Sequence, residues 1–169
     1  MKIPESIAIA KLAEFGMDDM PLIEYTPKSP KLPADWFSKY RVLCHKFMES
    51  LTDCATEIAF MNLSQKEFMS LVTGTALPRN TSIRWRIPIT MGGELSIENM
   101  FLCRTFPHSH KLDRFILEQA GNETLWLPNP ARAVYVPTHT APGGTGGNAT
   151  SDRLTQVAAQ LAANNNSLG

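Results

Sequence analysis

The stretch from residue 79 to residue 114 concentrates the side chains that could bind phosphate. It holds six basic residues against three acidic ones, and two histidines could add positive charge. The flanking parts carry net charges of −2 (residues 1–78) and −1 (residues 115–169), so the neutral total hides this local excess. The stretch is the one candidate surface for phosphate, and an ordinary solvated face is the alternative. Its ionisable residues are Arg79, Arg84, Arg86, Arg104, Lys111, Arg114, Glu94, Glu98, Asp113, His108 and His110.

Hydrophobic periodicity predicts the elements that carry these residues. Apolar side chains alternate over residues 83–89, which predicts a half-buried strand whose arginines face away from the packed side. Residues 91–93, Met-Gly-Gly, predict a flexible turn, and residues 100–103 predict a second, short strand. Residues 107–119 begin with a proline suited to a first helical turn and have one apolar face. The predicted order over residues 82–120 is strand, loop, strand, helix.

This arrangement resembles the HNH family of the His-Me finger nucleases. Members have a strand ending in Asp-His or His-His, a proline three residues later, a Gly-Gly turn, an Asn in the loop, a second strand, and a helix bearing a His. Here Asn99 lies seven residues after Gly92, His108 lies nine after Asn99, and Lys111 lies three after His108. The likeness covers about residues 79–120 and implies a ββα (His-Me finger) motif within an α+β protein.

The resemblance also implies a role for each matching residue. In that family a metal ion holds the scissile phosphate, the strand His takes a proton from water, the Asn fixes that His, and the helix His binds the metal. His108 matches the metal ligand, Asn99 matches the orienting residue, and Lys111 would contact phosphate. The alternatives are a packed, hydrogen-bonded histidine at 108 and a loop asparagine at 99 that bonds its own backbone.

Two positions depart from the family pattern. Counting back from Pro88 or Gly92, Trp85 occupies the position of the general base and Arg84 that of the first metal ligand. Indole cannot accept a proton from water at neutral pH, and a guanidinium has no lone pair for a cation. We therefore expect no catalytic residue, no cofactor, and a degenerate, inactive finger. Arg84 would then hold a phosphate in place of the ion, unless both strand arginines merely face solvent and Trp85 fills the core. The predicted nucleic-acid contacts are Arg84, Arg86, Arg104, Lys111 and Arg114.

The N-terminal half of the chain predicts helices joined by an irregular connector. A helix over residues 6–15 precedes residues 17–33, whose four prolines favour an extended connector without regular structure. Apolar residues at steps of three and four then predict one long helix from about Asp35 to Phe60. The next helix begins with a capping box, in which Ser64 and Glu67 satisfy each other's backbone amides.

The C-terminal part of the chain changes in composition. Residues 125–137 predict a strand or an extended arm packed on the domain. Residues 138–151 are a Gly-rich flexible linker by composition, and residues 152–163 predict a short helix whose narrow apolar face would bind a protein partner. The predicted divisions are 1–34 (N-terminal helix and Pro-rich connector), 35–78 (helical part of the core), 79–121 (HNH-like ββα finger), 122–137 (extended arm) and 138–169 (Gly-rich linker and terminal helix).

Composition narrows the class of protein further. The 169 residues are 43% hydrophobic and 19% charged, which excludes collagen-like, coiled-coil and wholly disordered chains. No apolar run approaches the roughly 18 residues of a membrane-spanning helix, and the first residues lack the apolar core of a signal peptide. We therefore expect a cytoplasmic protein without a membrane partner. Cys44, Cys54 and Cys103 form no CxxC pair, which predicts reduced, mostly buried thiols rather than disulfides or a zinc site.

Three functions remain open from the sequence. The first is a noncatalytic protein on a degenerate HNH scaffold that binds nucleic acid or joins a larger assembly; its tail resembles in composition the docking tails of bacteriophage virion or packaging proteins, which would place it in a host cytoplasm and a virion. The second is an active endonuclease dependent on Mg²⁺, Mn²⁺ or Zn²⁺ whose base is His110 or His45. The third is a small helix-rich interaction module whose likeness to the finger is accidental. His139, in the linker, has no expected chemical role.

Overall fold

The computed structural model describes residues 2–137, which combine α-helices with two small antiparallel sheets. The predicted linker over residues 138–151, His139 and the predicted helix over residues 152–163 lie outside the described residues. The helices are α1 (Glu5–Ala13), α2 (Trp36–Ser50), α3 (Ala55–Ala59), α4 (Gln65–Val72) and α5 (His110–Leu117). The strands are β1 (Leu22–Tyr25), β2 (Thr81–Trp85), β3 (Met100–Arg104) and β4 (Leu125–Pro128).

Strand β3 lies at the centre of the described fold. It pairs with β2 along one edge in antiparallel register, with Arg84 opposite Phe101. Along its other edge the Leu102 amide donates to the Ala133 carbonyl at 2.7 Å, and the Tyr135 amide donates to the Leu102 carbonyl at 2.8 Å. Both edges of β3 are therefore covered within the chain.

Strand β3 also separates two apolar clusters, because successive side chains of a strand point to opposite faces. Met100 and Leu102 enter a cluster with the buried residues of α2 and α4. Phe101 and Cys103 enter a second cluster with the buried residues of α1 and α5. Cys103 is fully buried, and its thiol, like those of the other two cysteines, is free, as the sequence predicts.

The second sheet pairs β1 with β4 and was not predicted. β1 lies within residues 17–33, so the prediction of an irregular connector is wrong there, whereas the predicted strand after residue 125 is present as β4. Leu22 pairs with Pro128 and Tyr25 with Leu125 in antiparallel register. The prolines that favoured a connector flank the strand rather than interrupt it, and the Pro21 carbonyl accepts from the Asn129 amide at 2.8 Å.

The predicted long helix over residues 35–60 is wrong, because it is broken after Ser50. Helix α2 ends there, a single 3₁₀ turn spans Leu51–Cys54, and the short helix α3 follows. The Ser50 hydroxyl donates to the Phe47 carbonyl at 2.6 Å, a side-chain bond that competes with continued helical bonding. Leu51 is fully buried, so the apolar stripe continues through the turn although the helix does not.

Helix α4 begins as predicted. The Ser64 hydroxyl accepts from the Glu67 amide at 3.1 Å, and the Glu67 carboxylate accepts from the Ser64 amide at 3.3 Å. These hydrogen bonds lower the pKa of the Glu67 carboxyl, because they favour its charged form. Within residues 2–137, no helix combines the length and the apolar character needed to cross a membrane.

Strand β2 and helix α5 differ in extent from the sequence prediction. β2 ends at Trp85 instead of continuing to residue 89. The Arg86 amide still donates to the Asn99 carbonyl at 2.7 Å in the register of the ladder, but the next amide, that of Ile87, donates to the Asn99 side chain at 2.9 Å. α5 begins at His110 rather than at Pro107, and it follows a wide turn over Thr105–Ser109 in which one residue is extended. The strand and the helix thus face each other across an open space.

Candidate functional site

A cleft of about 580 Å³ lies between β2, the turn after it, and helix α5. Apolar side chains form most of its wall, including those of Pro88, Met91 and Ile116. Its charged lining residues are Arg84 from the strand and Asp113 from the helix. Pockets with apolar walls and a few convergent polar groups are the usual form of a binding site, so this cleft is the candidate functional site.

Arg84 joins the strand to the helix across this cleft. Its Nη1 donates to the Ser109 carbonyl at 3.1 Å, to the Ser109 hydroxyl at 2.9 Å, and to Asp113 Oδ1 at 2.6 Å. The Arg84 side chain is 12% exposed and the Asp113 side chain 67% exposed, so the cation is enclosed while the carboxylate reaches solvent. Arg84 Nε is buried without a hydrogen-bond partner. The charge of Arg84 is therefore already matched inside the protein.

Trp85 points to the opposite face of β2. Its ring lies 5.6 Å from the ring of Tyr40 in α2, measured between centroids, and it packs against the first apolar cluster. A side chain in this position contributes apolar area to the core. An indole offers no acceptor for a proton, so Trp85 cannot supply a general base to the cleft.

Asn99 ties the end of β2 to the loop that precedes β3. Its Oδ1 accepts from the Ile87 amide at 2.9 Å, while its Nδ2 donates to the Ile87 carbonyl at 2.9 Å and to the Glu94 carbonyl at 3.0 Å. The residue is 9% exposed, so all three bonds lie at or below the surface. The structure thus places the predicted orienting residue on backbone groups and not on a histidine.

Glycine is required at positions 92 and 93 of the turn for two different structural reasons. Gly92 has a φ of +94°, in the left-handed region that residues with a Cβ rarely adopt. At Gly93 an added Cβ would lie 1.9 Å from the Ile87 carbonyl oxygen and 3.0 Å from Asn99 Nδ2. The turn and the Asn99 bonds therefore form one closely packed joint beside the cleft.

His108, the predicted metal ligand, does not line the cleft. Its ring lies 6.2 Å from that of Tyr135, edge to face, and its Nδ1 is buried without a hydrogen-bond partner. Burial lowers the pKa of His108, and the charge of Arg104 lowers it further while Asp19 opposes the shift. The next residue in the chain, Ser109, is the one that faces Arg84. The structure therefore does not bring His108 and Arg84 together.

The other predicted cations differ in how far the protein itself uses them. Arg86 Nε donates to the Glu98 carbonyl at 3.1 Å and Nη2 to the Arg132 carbonyl at 3.2 Å, and Nη1 donates to the Pro130 carbonyl. Burial lowers the pKa of Arg86, although a guanidinium stays charged in a protein. Arg104 Nη2 donates to the Met61 carbonyl at 2.6 Å. These two arginines are engaged in holding the fold together.

Lys111 and Arg114 lie on the outer side of α5. The Lys111 ammonium lies 4.7 Å from the centre of the Phe15 ring, a cation–π contact that joins α5 to the end of the first helical segment. Arg114 is exposed. Of the five cations predicted to contact nucleic acid, Arg114 is the one whose side chain makes no hydrogen bond, ion pair or cation–π contact within residues 2–137.

The two histidines considered as alternative bases lie elsewhere. His45 Nδ1 is 3.0 Å from the Gly74 carbonyl oxygen, and its Nε2 contacts the Glu49 carboxylate. His110 is exposed and packs edge to face on Phe106, with 5.9 Å between ring centroids. Neither histidine lines the cleft.

The side chains of the cleft do not fit a divalent cation. A metal ion of this class takes oxygen ligands, or neutral histidine, around a space free of positive charge. Here the Arg84 guanidinium lies between Ser109 and Asp113, which are the oxygen donors that α5 presents. Among residues 2–137, no three side chains of His, Cys, Asp or Glu lie close enough together to hold one ion.

Sequence reasoning missed Ser109 and Asp113 as the partners of Arg84. The signal was present, because residues four apart in a helix share one face, so Ser109 and Asp113 form a polar pair along α5. His108 is adjacent to Ser109 and therefore points about 100° away around the helix. Tertiary packing decides whether the face with Ser109 and Asp113 or the face with His108 meets Arg84, and the sequence pattern does not show this.

No family model, no curated protein and no solved structure matches this chain. The geometry of the cleft and the sequence pattern therefore carry the functional conclusion.

Proposed function

We propose that this chain is a noncatalytic protein on a degenerate HNH-like ββα scaffold, and that it acts by binding nucleic acid or other components of a larger assembly, such as a phage virion. The ββα likeness is supported by the order of elements: the paired strands β2 and β3, with the Gly-Gly turn between them, precede α5. It is supported further by Asn99, which lies in the loop position that the family pattern gives to its asparagine.

One observation carries the noncatalytic part of the proposal. Arg84 occupies the strand position where the family resemblance would put the first metal ligand, and its guanidinium lies within 3.1 Å of the Ser109 and Asp113 oxygens. A fixed positive charge opposes a divalent ion by about 8 kcal/mol at 4 Å and an effective dielectric constant of 20. Arg84 thus performs the structural task of linking strand to helix and leaves no place for the ion.

The base position supports the same conclusion. Trp85 packs against Tyr40 and the first apolar cluster, away from the cleft. Loss of a general base alone lowers a hydrolytic rate by roughly 10² to 10⁴. With neither base nor ion, the cleft is suited to binding and not to hydrolysis.

Incubation of the protein with supercoiled plasmid tests the proposal. Each of Mg²⁺, Mn²⁺ and Zn²⁺ is supplied in turn, nicking is followed on agarose gels, and binding is followed by mobility shift in the same samples. We expect no metal-dependent nicking. Metal-dependent nicking by the wild-type protein that is abolished by His108→Ala would instead establish an active endonuclease, and its further loss in His110→Ala or His45→Ala would identify the general base.

The assembly part of the proposal concerns the C-terminal tail. The apolar face predicted over residues 152–163 would contact a protein partner. Deletion of residues 138–169 is expected to remove the association with that partner, which co-sedimentation with phage particles would detect. The melting temperature of the deletion variant serves as the check that the remaining chain still folds.

A further inference from the structure

A second concave surface lies apart from the cleft. It is built from residues 28–33, the first turns of α2, and the loop Gly92–Leu95, and it consists of two hollows of about 520 Å³ and 370 Å³. Both hollows are lined by Lys39 and Leu95, so they form one continuous groove. We call it the lysine groove after its four cationic lining residues, Lys28, Lys31, Lys39 and Lys46.

The charges of the lysine groove are available to a partner. All four lysines are exposed, and within residues 2–137 the ammonium groups of Lys28, Lys31 and Lys46 make no hydrogen bond or ion pair. Lys39 lies 3.6 Å from Asp35 in an exposed pair of the kind that contributes little. Among residues 2–137, Glu94 is the one carboxylate that lines the groove. The surface therefore has an excess of positive charge that the fold does not use.

Three arginines of residues 79–114 differ from these lysines, because their hydrogen bonds are already made within the protein. There Arg84, Arg86 and Arg104 each donate to oxygens of the protein itself. An arginine whose hydrogen bonds are already made must lose them before it can hold a phosphate, whereas an exposed lysine loses only water. The net charge of a sequence segment is thus a poor guide to its surface here, because residues 1–78 are acidic overall.

The loop that carries Lys28 is held in place on the Gly-Gly turn. The Lys28 amide donates to the Met91 carbonyl at 2.9 Å, and the Tyr25 hydroxyl donates to the same carbonyl at 2.7 Å. At Gly92 an added Cβ would lie 2.9 Å from the Lys28 Cβ, so the two segments are in close contact. The groove is therefore a fixed feature of the fold and not a chance approach of two loose segments.

The spacing of the lysines indicates an extended polyanion. Lys39 and Lys46 are seven residues apart in α2, which is two turns and about 10.5 Å along the helix axis. The four lysines thus start from backbone positions spread along the groove, which suits an extended chain of charges better than one small anion, and a nucleic-acid strand offers a phosphate at about every 3.4 Å along the duplex axis. Compact lysine charges suit such backbone contacts, which need no bidentate geometry.

We propose that the lysine groove binds the phosphodiester backbone of a nucleic acid. This inference deepens the nucleic-acid part of the proposed function and moves the contact surface from the strand arginines to Lys28, Lys31, Lys39 and Lys46. The contacts are to phosphate, so binding depends on charge and salt and carries little sequence preference.

Fluorescence anisotropy of a short fluorescein-labelled DNA duplex, and of one of its strands alone, tests this proposal across a series of salt concentrations. The groove variant combines Lys28→Gln, Lys31→Gln and Lys46→Gln. The matched control removes the same number of exposed cations outside the groove and outside residues 79–114, through Lys2→Gln, Arg41→Gln and Lys66→Gln. Circular dichroism melts establish that both variants fold like the wild type.

The groove variant is expected to bind about tenfold or more weakly, with a slope of log K against log salt that is smaller by about 2.7 for the duplex. The control variant is expected to bind like the wild type. An equal loss in both variants, or a larger loss in the control, would overturn the groove as the site. Binding to vesicles with anionic lipids that is as tight as binding to DNA, and that is weakened as much in the groove variant, would overturn nucleic acid as the partner of the groove.

The outcome also separates this proposal from the previous one. A wild-type protein that neither nicks plasmid nor binds DNA would refute the lysine groove while the noncatalytic scaffold stands. A protein that nicks plasmid and loses DNA binding in the groove variant would refute the noncatalytic scaffold while the groove stands.

Discussion

Replacing Asn99 by alanine tests whether the joint beside the cleft is structural. The change removes three hydrogen bonds, one from the Ile87 amide and two to the Ile87 and Glu94 carbonyls. Since a buried hydrogen bond contributes about 1 kcal/mol, and the partners are left at a site only 9% exposed, Asn99→Ala is expected to lower the free energy of unfolding by about 3 kcal/mol.

Urea denaturation followed by tryptophan fluorescence measures this loss, with the slope against urea unchanged if only stability is affected. Asn122→Ala is the matched control, because the Asn122 side chain makes no hydrogen bond within the described residues, and it is expected to leave stability nearly unchanged. A loss below about 1 kcal/mol for Asn99→Ala would refute the structural role of the three bonds.

Three further predictions concern the turn, a cysteine and a histidine. Gly93→Ala, whose Cβ would lie 1.9 Å from a carbonyl oxygen, should lower the free energy of unfolding by about 2–3 kcal/mol in thermal melts, more than the roughly 1 kcal/mol of Gly16→Ala, which meets nothing within 4 Å and is strained only by its left-handed φ of +75°. Burial raises the pKa of Cys103 to about 12, so its thiol should resist alkylation at pH 8 until urea unfolds the chain. Alkylation of Cys103 in the folded protein as fast as in the unfolded protein would contradict this. Because the folded pKa of His108 is lowered, the unfolded chain binds its proton first, and stability should fall as the pH drops below about 6.5. His108→Gln should flatten that dependence and His110→Gln should not.

Local signals predicted the parts of the fold that short-range chemistry decides. The capping box at Ser64 and Glu67 needs only residues within one helical turn, and it is present at the start of α4. The Gly-Gly pair predicted a turn over residues 91–93, and the chain turns there with Gly92 at a left-handed φ of +94°. Strand β3 was predicted nearly to its ends, because a run of four apolar residues buried on both faces gives a strong signal.

Long-range pairing accounts for what the sequence did not predict. Strand β1 pairs with β4 across about a hundred residues of chain, and a four-residue strand between prolines has no local signal strong enough to indicate it. The helix break after Ser50 is a local exception: it is accompanied by a hydrogen bond from the Ser50 hydroxyl to the Phe47 carbonyl, which hydrophobic periodicity does not detect. Periodicity reports which face is apolar but not where the backbone changes its hydrogen bonding.

The sequence pattern singled out the elements that line the cleft but not the contacts within it. The sequence pattern directed attention to the strand, loop and helix that line the cleft, and to Arg84 as its unusual residue. It did not indicate that Ser109 and Asp113 would enclose the guanidinium, or that His108 would turn toward Tyr135. Charge counting likewise missed the lysine groove, because the four lysines belong to an acidic segment and come together only through the fold.

Isothermal titration calorimetry with Mg²⁺ and Mn²⁺ tests most directly whether the Arg84 guanidinium takes the place of a metal ion. The wild-type protein is predicted to give no binding heat beyond dilution, because the cation lies between the Ser109 and Asp113 oxygens. Stoichiometric binding by the wild type that disappears in Asp113→Ala would contradict the central claim.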